Sequence, residues 1–262
     1  MKTDWIAVNG AACRYADSGA GGQTVLLIHE LAGSLNSWDG LVKLLPAGLR
    51  VIRYDMRGAG MSEKVSGALA IDMLADDAAA LLDHLAIGDP VTVVGAAVGA
   101  AIATRFAARH PARCAGLVLV APALGIPPER KGPASELCDR IDREGLRQVA
   151  DAVLSKAFPE ELWANEAEKA RAVARWLGAD PQGYAAAYRM LIAAELADDL
   201  ATINAPALVL AGRHDPFGTP EIVEQRTLAM KHRTFKILEG GHFLAVQSPA
   251  VLADALKDVL VA

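Results

Sequence analysis

The chain has 262 residues, 53% of them hydrophobic and 22% charged, which suits one sizeable α/β core rather than a string of domains. A formal net charge of −5 supplies no clustered Lys and Arg for a nucleic-acid backbone, so a small molecule is the expected partner. The opening Met-Lys-Thr-Asp-Trp lacks an apolar leader and no run approaches the roughly 18 apolar residues of a membrane span, so a soluble, cytoplasmic chain is expected.

In chain order, the first signal is Asn9-Gly10 between the apolar segments 5–8 and 13–16, which reads as an antiparallel hairpin. Short β-branched runs at 25–28, 51–54, 91–94, 117–120, 207–210 and 235–238 then read as buried strands. Helices fit the gaps at about 37–45, 72–85, 98–109, 220–230 and 249–261. Alternation of this kind marks a mostly parallel sheet wrapped by helices. One interval breaks the rhythm: from Pro122 to Ile203 the chain is alanine-rich and charged, with apolar residues at helical spacing in 135–154 and 165–177. It reads as a helical cap over the edge where parallel sheets place their ligands. The expected division is a core of 1–122 and 204–262 with a cap of 123–203. Cys13, Cys114 and Cys138 stand at no metal-ligand spacing and in odd number, so they read as reduced residues of the core or cap, with neither a metal site nor a disulfide framework.

Three strand ends carry the chemistry. The strand 91–94 runs into Gly95-Ala-Ala97-Val98-Gly99 and then a helix, a tight turn flanked by small residues that normally reads Gly-x-Ser-x-Gly and presents a nucleophile. Here Ala97 stands at the nucleophile position. Asp215 follows the strand 207–210 in Gly-Arg-His-Asp-Pro, and His242 follows the strand 235–238 in Glu-Gly-Gly-His-Phe. Nucleophile, acid and histidine in this chain order, each after a strand, form the triad arrangement of α/β-hydrolases. His242 would take the proton of the attacking group, and Asp215 would hold the imidazole in its working tautomer.

After the strand 25–28 comes His29-Glu30-Leu31-Ala32-Gly33-Ser34, where hydrolases of this class carry His-Gly-x-Gly. The backbone N–H groups of Leu31 and Val98 would form the oxyanion hole. Glu30 departs from the pattern. Its carboxylate either meets solvent or loop N–H groups, or serves His29 or a polar end of the substrate.

The chain resembles the 3-oxoadipate enol-lactonase-like branch of the α/β-hydrolases nearly end to end. The resemblance is strongest in Val-Ile-Arg-Tyr-Asp-Met-Arg-Gly-Ala-Gly-Met-Ser at 51–62, Asp-Pro-Gln-Gly-Tyr-Ala at 180–185, and the segment 206–220. It implies an α/β-hydrolase fold and cofactor-independent hydrolysis of a small lactone, ester or carbon–carbon bond beside a ketone. Ala97, Asp215 and His242 match the triad positions, Leu31 and Val98 the oxyanion donors, and Arg140 the family's cap arginine. Arg140 would then clamp a substrate carboxylate through two parallel bonds, or else pair on the helix surface with Asp139 or Glu144. Leu137 stands where an aromatic cap residue is expected.

Ala97 admits two origins. Serine was replaced to trap a bound ligand, or the alanine is native and the chain is a binding protein or an enzyme that uses His242, with or without Glu30, as a general base without covalent attachment.

Overall fold

The computed structural model describes residues 1–260 apart from 66, 158 and 164. Strands β1 (Lys2–Val8) and β2 (Ala11–Asp17) pair antiparallel across Asn9 and Gly10, both at positive φ, as a two-residue turn of the primed type requires. They are followed by β3 (Thr24–Ile28), β4 (Arg50–Tyr54), β5 (Val91–Ala96), β6 (Cys114–Val120), β7 (Ala207–Gly212) and β8 (Arg233–Leu238). The eight strands form one sheet in the order β1-β2-β4-β3-β5-β6-β7-β8. β2 joins β4 antiparallel, and every pair from β4 to β8 is parallel.

This order has a functional consequence. The chain leaves β3 toward β4 on one side, and leaves β5 toward β6 on the other. The loops after β3 and β5 therefore diverge, opening a crevice at the carboxyl ends of two neighbouring strands. β5 and β7 are buried at every residue, as expected of parallel strands covered on both faces.

One face is covered by α2 (Ile71–His84) and α3 (Val98–Arg109), whose Leu74, Ala78, Ile102 and Phe106 pack on Leu26, Ile52 and Val93. The other is covered by α1 (Asp39–Val42) and by the C-terminal α11 (Pro249–Leu256), which enclose Trp38, Val51 and Leu210. Between β6 and β7 the described residues form α4 (Pro128–Glu144), α5 (Ala150–Ala157), α6 (Glu166–Leu177), α7 (Pro181–Ala193) and α8 (Ala197–Thr202), with no strand. A separate apolar cluster of Cys138, Ile141, Leu146, Trp176 and Tyr184 holds this layer together. α9 (Pro220–Arg226) and α10 (Leu244–Gln247) follow β7 and β8. Among the described residues no helix is long and apolar enough to cross a membrane.

Several helices differ from the sequence expectation for local reasons. The expected helix at 37–45 is a 3-10 turn, Leu35–Trp38, followed by the single turn α1. Ser34 caps the Asn36 N–H and Asp55 Oδ1 accepts the Leu35 N–H at 2.7 Å, so the chain is tied into a tighter turn than an α-helix. The segment 135–154 is not one helix. α4 begins earlier, with Pro128 in its first turn, and ends at Gly145, whose φ of +76° leaves the helical region before a 3-10 turn and α5. α9 ends at Arg226 instead of 230, and α11 at Leu256 instead of 261, a position outside the described residues.

Candidate active site

The turn between β5 and α3 is an elbow. Ala97 has φ +49° and ψ −112°, a left-handed conformation that costs a non-glycine residue about 1–3 kcal/mol and persists only where the surroundings enforce it. Enforcement comes from β6 and the loop that follows it: the Ala97 N–H donates to Val120 O at 3.0 Å, and Ala97 O accepts the N–H of Ala123 at 3.1 Å. The flanking glycines are steric necessities. A Cβ on Gly95 would collide with the Gly99 carbonyl, and one on Gly99 with the Ile28 carbonyl. The Gly-x-x-x-Gly spacing thus lets α3 rest its first turn directly on β5 and on the end of β3.

The acid and the histidine meet by a similar device. Gly212 at the end of β7 touches the Gly241 carbonyl so closely that no Cβ fits. His214 N–H donates to Gly240 O at 3.0 Å, zipping the two loops together. Asp215 Oδ2 then stands 2.8 Å from His242 Nδ1, while Asp215 Oδ1 accepts the N–H groups of Phe217 at 2.8 Å and Gly218 at 3.2 Å. The Asp215 side chain is fully buried. A carboxylate so surrounded by donors acts only as an acceptor, which places the His242 proton on Nδ1 and leaves Nε2 as the basic nitrogen. Phe217 and Phe243 pack edge-on against the imidazole, with centroids at 5.1 and 5.2 Å, and hold its plane.

Ala97, Val98, Leu31 and His242 line one cavity of about 170 Å³. Among the described residues, neither the Leu31 nor the Val98 N–H donates to a protein acceptor, so both are available to a developing oxyanion. The roof is supplied by α4 to α7 through Arg130, Leu137, Val153, Trp176, Tyr184 and Tyr188. Tyr184 stands edge-on to both Trp176 and Tyr188, at 5.8 and 6.3 Å. Burial holds the phenols of Tyr184 and Tyr188 above their ordinary range, so both enter the roof as neutral groups.

Three expected substrate contacts lie elsewhere. His29 is wholly buried: its Nε2 accepts the Met56 N–H at 3.0 Å and its Nδ1 donates to the Glu30 carbonyl at 2.7 Å, so the ring braces the loop and has no nitrogen left for a ligand. Glu30 is also buried: its Oε1 accepts the Ser37 hydroxyl at 2.7 Å, and the residue borders an adjoining cavity instead of the one at Ala97. Arg140 is half-exposed on α4 and pairs with Glu144 at 3.5 Å, one helical turn on. It does not reach the cavity.

The arginine that does reach it is Arg130, in the first turn of α4. Sequence reasoning missed it by starting the helix at 135; the Pro127-Pro128 pair, a helix-start signal, would have placed it on α4. Arg226 also lines the cavity, but its guanidinium is occupied by the carbonyls of Leu124 and Gly125 at 3.1 and 2.8 Å.

The run 51–62, where the family resemblance is strong, is a brace. Buried Asp55 accepts the N–H groups of Leu35 and Met61, each at 2.7 Å, and the Arg14 guanidinium at 3.3 Å. Arg57 forks onto Asp77 with two bonds of 2.9 Å. These contacts fix the loop after β4 against the one that carries Leu31.

Comparison with known proteins agrees with the fold. A family described as alpha/beta hydrolase fold matches residues 23–249. The chain is 26% identical to 3-oxoadipate enol-lactonase 2 of Acinetobacter baylyi over 98% of its own length and 96% of that protein. It superposes on the enol-lactonase from Burkholderia xenovorans LB400 with a TM-score of 0.88 and 28% identity, covering 97% of this chain and 98% of that one. A malate-bound thermophilic esterase from Thermogutta terrifontis gives a TM-score of 0.90 and 26% identity, over 98% and 97% of the two chains.

Proposed function

Because the chain belongs to the α/β-hydrolase family, we propose that its cavity is a hydrolytic site for a small lactone, ester or related acyl substrate, with alanine at the nucleophile position. The observation that carries this reading is the convergence of the Asp215–His242 pair, the strained Ala97 elbow and two unbonded N–H groups on one small cavity. An elbow at positive φ costs free energy that ordinary packing does not need.

The substrate carbonyl carbon would stand over Ala97 Cβ with its oxygen between the N–H groups of Leu31 and Val98. With no hydroxyl at position 97, the covalent acyl-enzyme route is closed. Attack falls to a water that gives its proton to His242 Nε2 as its oxygen bonds to the carbonyl carbon. Asp215 stabilises the imidazolium that results. The tetrahedral intermediate collapses by expelling the leaving oxygen, which takes the proton back from Nε2. Oxyanion stabilisation and binding alone retain on the order of 10³–10⁴ over water in such sites, so the chain binds its substrate well and turns it over slowly.

The only guanidinium lining the cavity without a bonded partner among the described residues is that of Arg130, and it favours a substrate bearing a carboxylate. The malate in the similar esterase is in keeping with an acidic ligand. A serine-directed fluorophosphonate tests the reading: the Ala97→Ser variant is expected to be labelled at position 97, and a folded variant that resists labelling would refute it.

A further inference from the structure

His242 Nδ1 is committed to Asp215 at 2.8 Å, and among the described residues its Nε2 has no hydrogen-bond partner. In a complete acyl-transfer site a serine hydroxyl would engage that lone pair. The elbow residue here ends in a methyl group, so the base borders the cavity it shares with Ala97 unengaged.

Water attack uses this arrangement only in part, because a water must be oriented as well as deprotonated. A carbon acid uses all of it. A proton on the carbon beside a ketone is removed when a base stands over the C–H bond and hydrogen-bond donors meet the charge that gathers on the carbonyl oxygen. The Leu31 and Val98 N–H groups donate to no protein acceptor among the described residues and line the same cavity as the imidazole. The strained elbow keeps a purpose without a nucleophile, since it sets Val98 at the start of α3 with its N–H free. Pro122, Leu124, Leu191 and Val223 make much of the remaining wall apolar, and such surroundings strengthen the grip of donors on an enolate oxygen. From the cap, Arg130 and Tyr188 line the cavity together, and a guanidinium and a phenol both donate to a carboxylate.

We propose that the chain, as it stands with Ala97, enolises small oxo acids. The carboxylate lies on Arg130 and Tyr188, and the ketone oxygen between the N–H groups of Leu31 and Val98. His242 Nε2 takes a proton from the α-carbon; the C–H electron pair becomes the C=C bond and the carbonyl π pair moves onto oxygen. The imidazolium returns a proton to the same carbon, or to the oxygen as the enol leaves, so nothing is oxidised or reduced. Between the two transfers Nε2 trades its proton with solvent, which makes isotope exchange the visible sign. This activity rests on the base and oxyanion donors of the hydrolytic reading, but it needs neither an acyl bond nor a nucleophile.

The probe is levulinate in deuterium oxide, a keto acid with no ester or lactone to hydrolyse. Deuterium uptake beside its ketone is followed by proton NMR and mass spectrometry. The chain is expected to exceed an equal concentration of free imidazole by about a hundredfold or more, with saturation in levulinate. His242→Ala is expected to lose this exchange, which catalysis by surface lysines would not do; His242→Gln serves should that variant not fold. Arg130→Gln is expected to raise the half-saturating levulinate concentration about tenfold. Ala97→Ser is expected to slow exchange about tenfold or more, because its hydroxyl would donate to Nε2. Exchange no faster than imidazole, or undiminished exchange in the folded His242 variant or in Ala97→Ser, would overturn the proposal, and unchanged half-saturation in Arg130→Gln would overturn its oxo-acid assignment. The two readings fail separately. An Ala97→Ser chain labelled by fluorophosphonate whose parent exchanges nothing removes only enolisation, and a parent that exchanges while the serine variant resists labelling removes only hydrolysis.

Discussion

Asp215 Oδ2 lies 2.8 Å from His242 Nδ1, and the other oxygen of the same carboxylate is held by two backbone N–H groups. The pair is therefore set for one task, to keep the proton on Nδ1 and the lone pair on Nε2. Asparagine at 215 would offer an NH₂ to the phenylalanine loop or to the ring and disturb the tautomer. In the Ala97→Ser background, Asp215→Asn is expected to lower kcat by about 10⁴ with little change in KM. Steady-state kinetics on a small activated ester check this, and an unchanged kcat would remove Asp215 from the site.

Arg130 and Arg140 both lie on α4, yet one lines the cavity and the other pairs with Glu144 on the surface. Arg130→Ala is expected to weaken binding of carboxylate-bearing ligands by about tenfold while sparing their methyl esters. Arg140→Ala is expected to change neither, since an exposed pair one turn apart contributes only about 0.3–0.5 kcal/mol. Ligand titrations of both variants against acid and ester forms distinguish the two arginines.

Gly99 carries the elbow's geometry. A methyl group there meets the Ile28 carbonyl at the end of a central strand and the His29 carbonyl just beyond it, backbone atoms that cannot yield as a flexible side chain can. Gly99→Ala is expected to cost about 3 kcal/mol or more and to lower Tm by on the order of 10 °C. Thermal unfolding measures it, and a Tm within a degree of the parent would mean that α3 does not sit on β3 as described.

The cysteines give a pH prediction. Burial pushes the thiols of Cys13 and Cys114 up to about 12 and that of Cys138 to about 11. Below pH 9 the thiol form prevails in both the folded and unfolded chain, so these groups leave stability unaffected by pH. Above it the unfolded chain ionises first, and stability is lost as pH rises through the window from about 9 toward 12. Denaturant melts at pH 8 and pH 10.5 should show the fall, and Cys→Ser at all three positions should reduce it. All three thiols are also expected to resist a thiol reagent at pH 8 until the chain is unfolded.

Much of the framework could be read from residue order. Strand ends at 94, 210 and 238 announce where a parallel sheet delivers its loops, and glycine pairs mark where those loops press together. The structure brings Ala97, Asp215 and His242 to one place through these features. Side-chain direction was less legible. Glu30 turns toward Ser37 because a 3-10 turn, which the helical period of 37–45 did not announce, brings that hydroxyl back to it. Arg140 and Arg130 are separated by nearly three turns of helix, and which of them faces inward depends on where α4 begins and on its packing against α7. The break at Gly145 depends on a backbone conformation that a glycine permits but does not demand.

The central claim is that position 97 is one oxygen short of a complete acyl-transfer site. Its most direct test is the hydrolysis rate of 4-nitrophenyl acetate and of a small lactone by the chain with Ala97 and by Ala97→Ser under identical conditions. The account predicts that kcat/KM for at least one of them rises by about three orders of magnitude, with a pre-steady-state burst from the acyl-enzyme. A folded Ala97→Ser chain no faster than the parent on both substrates would contradict it.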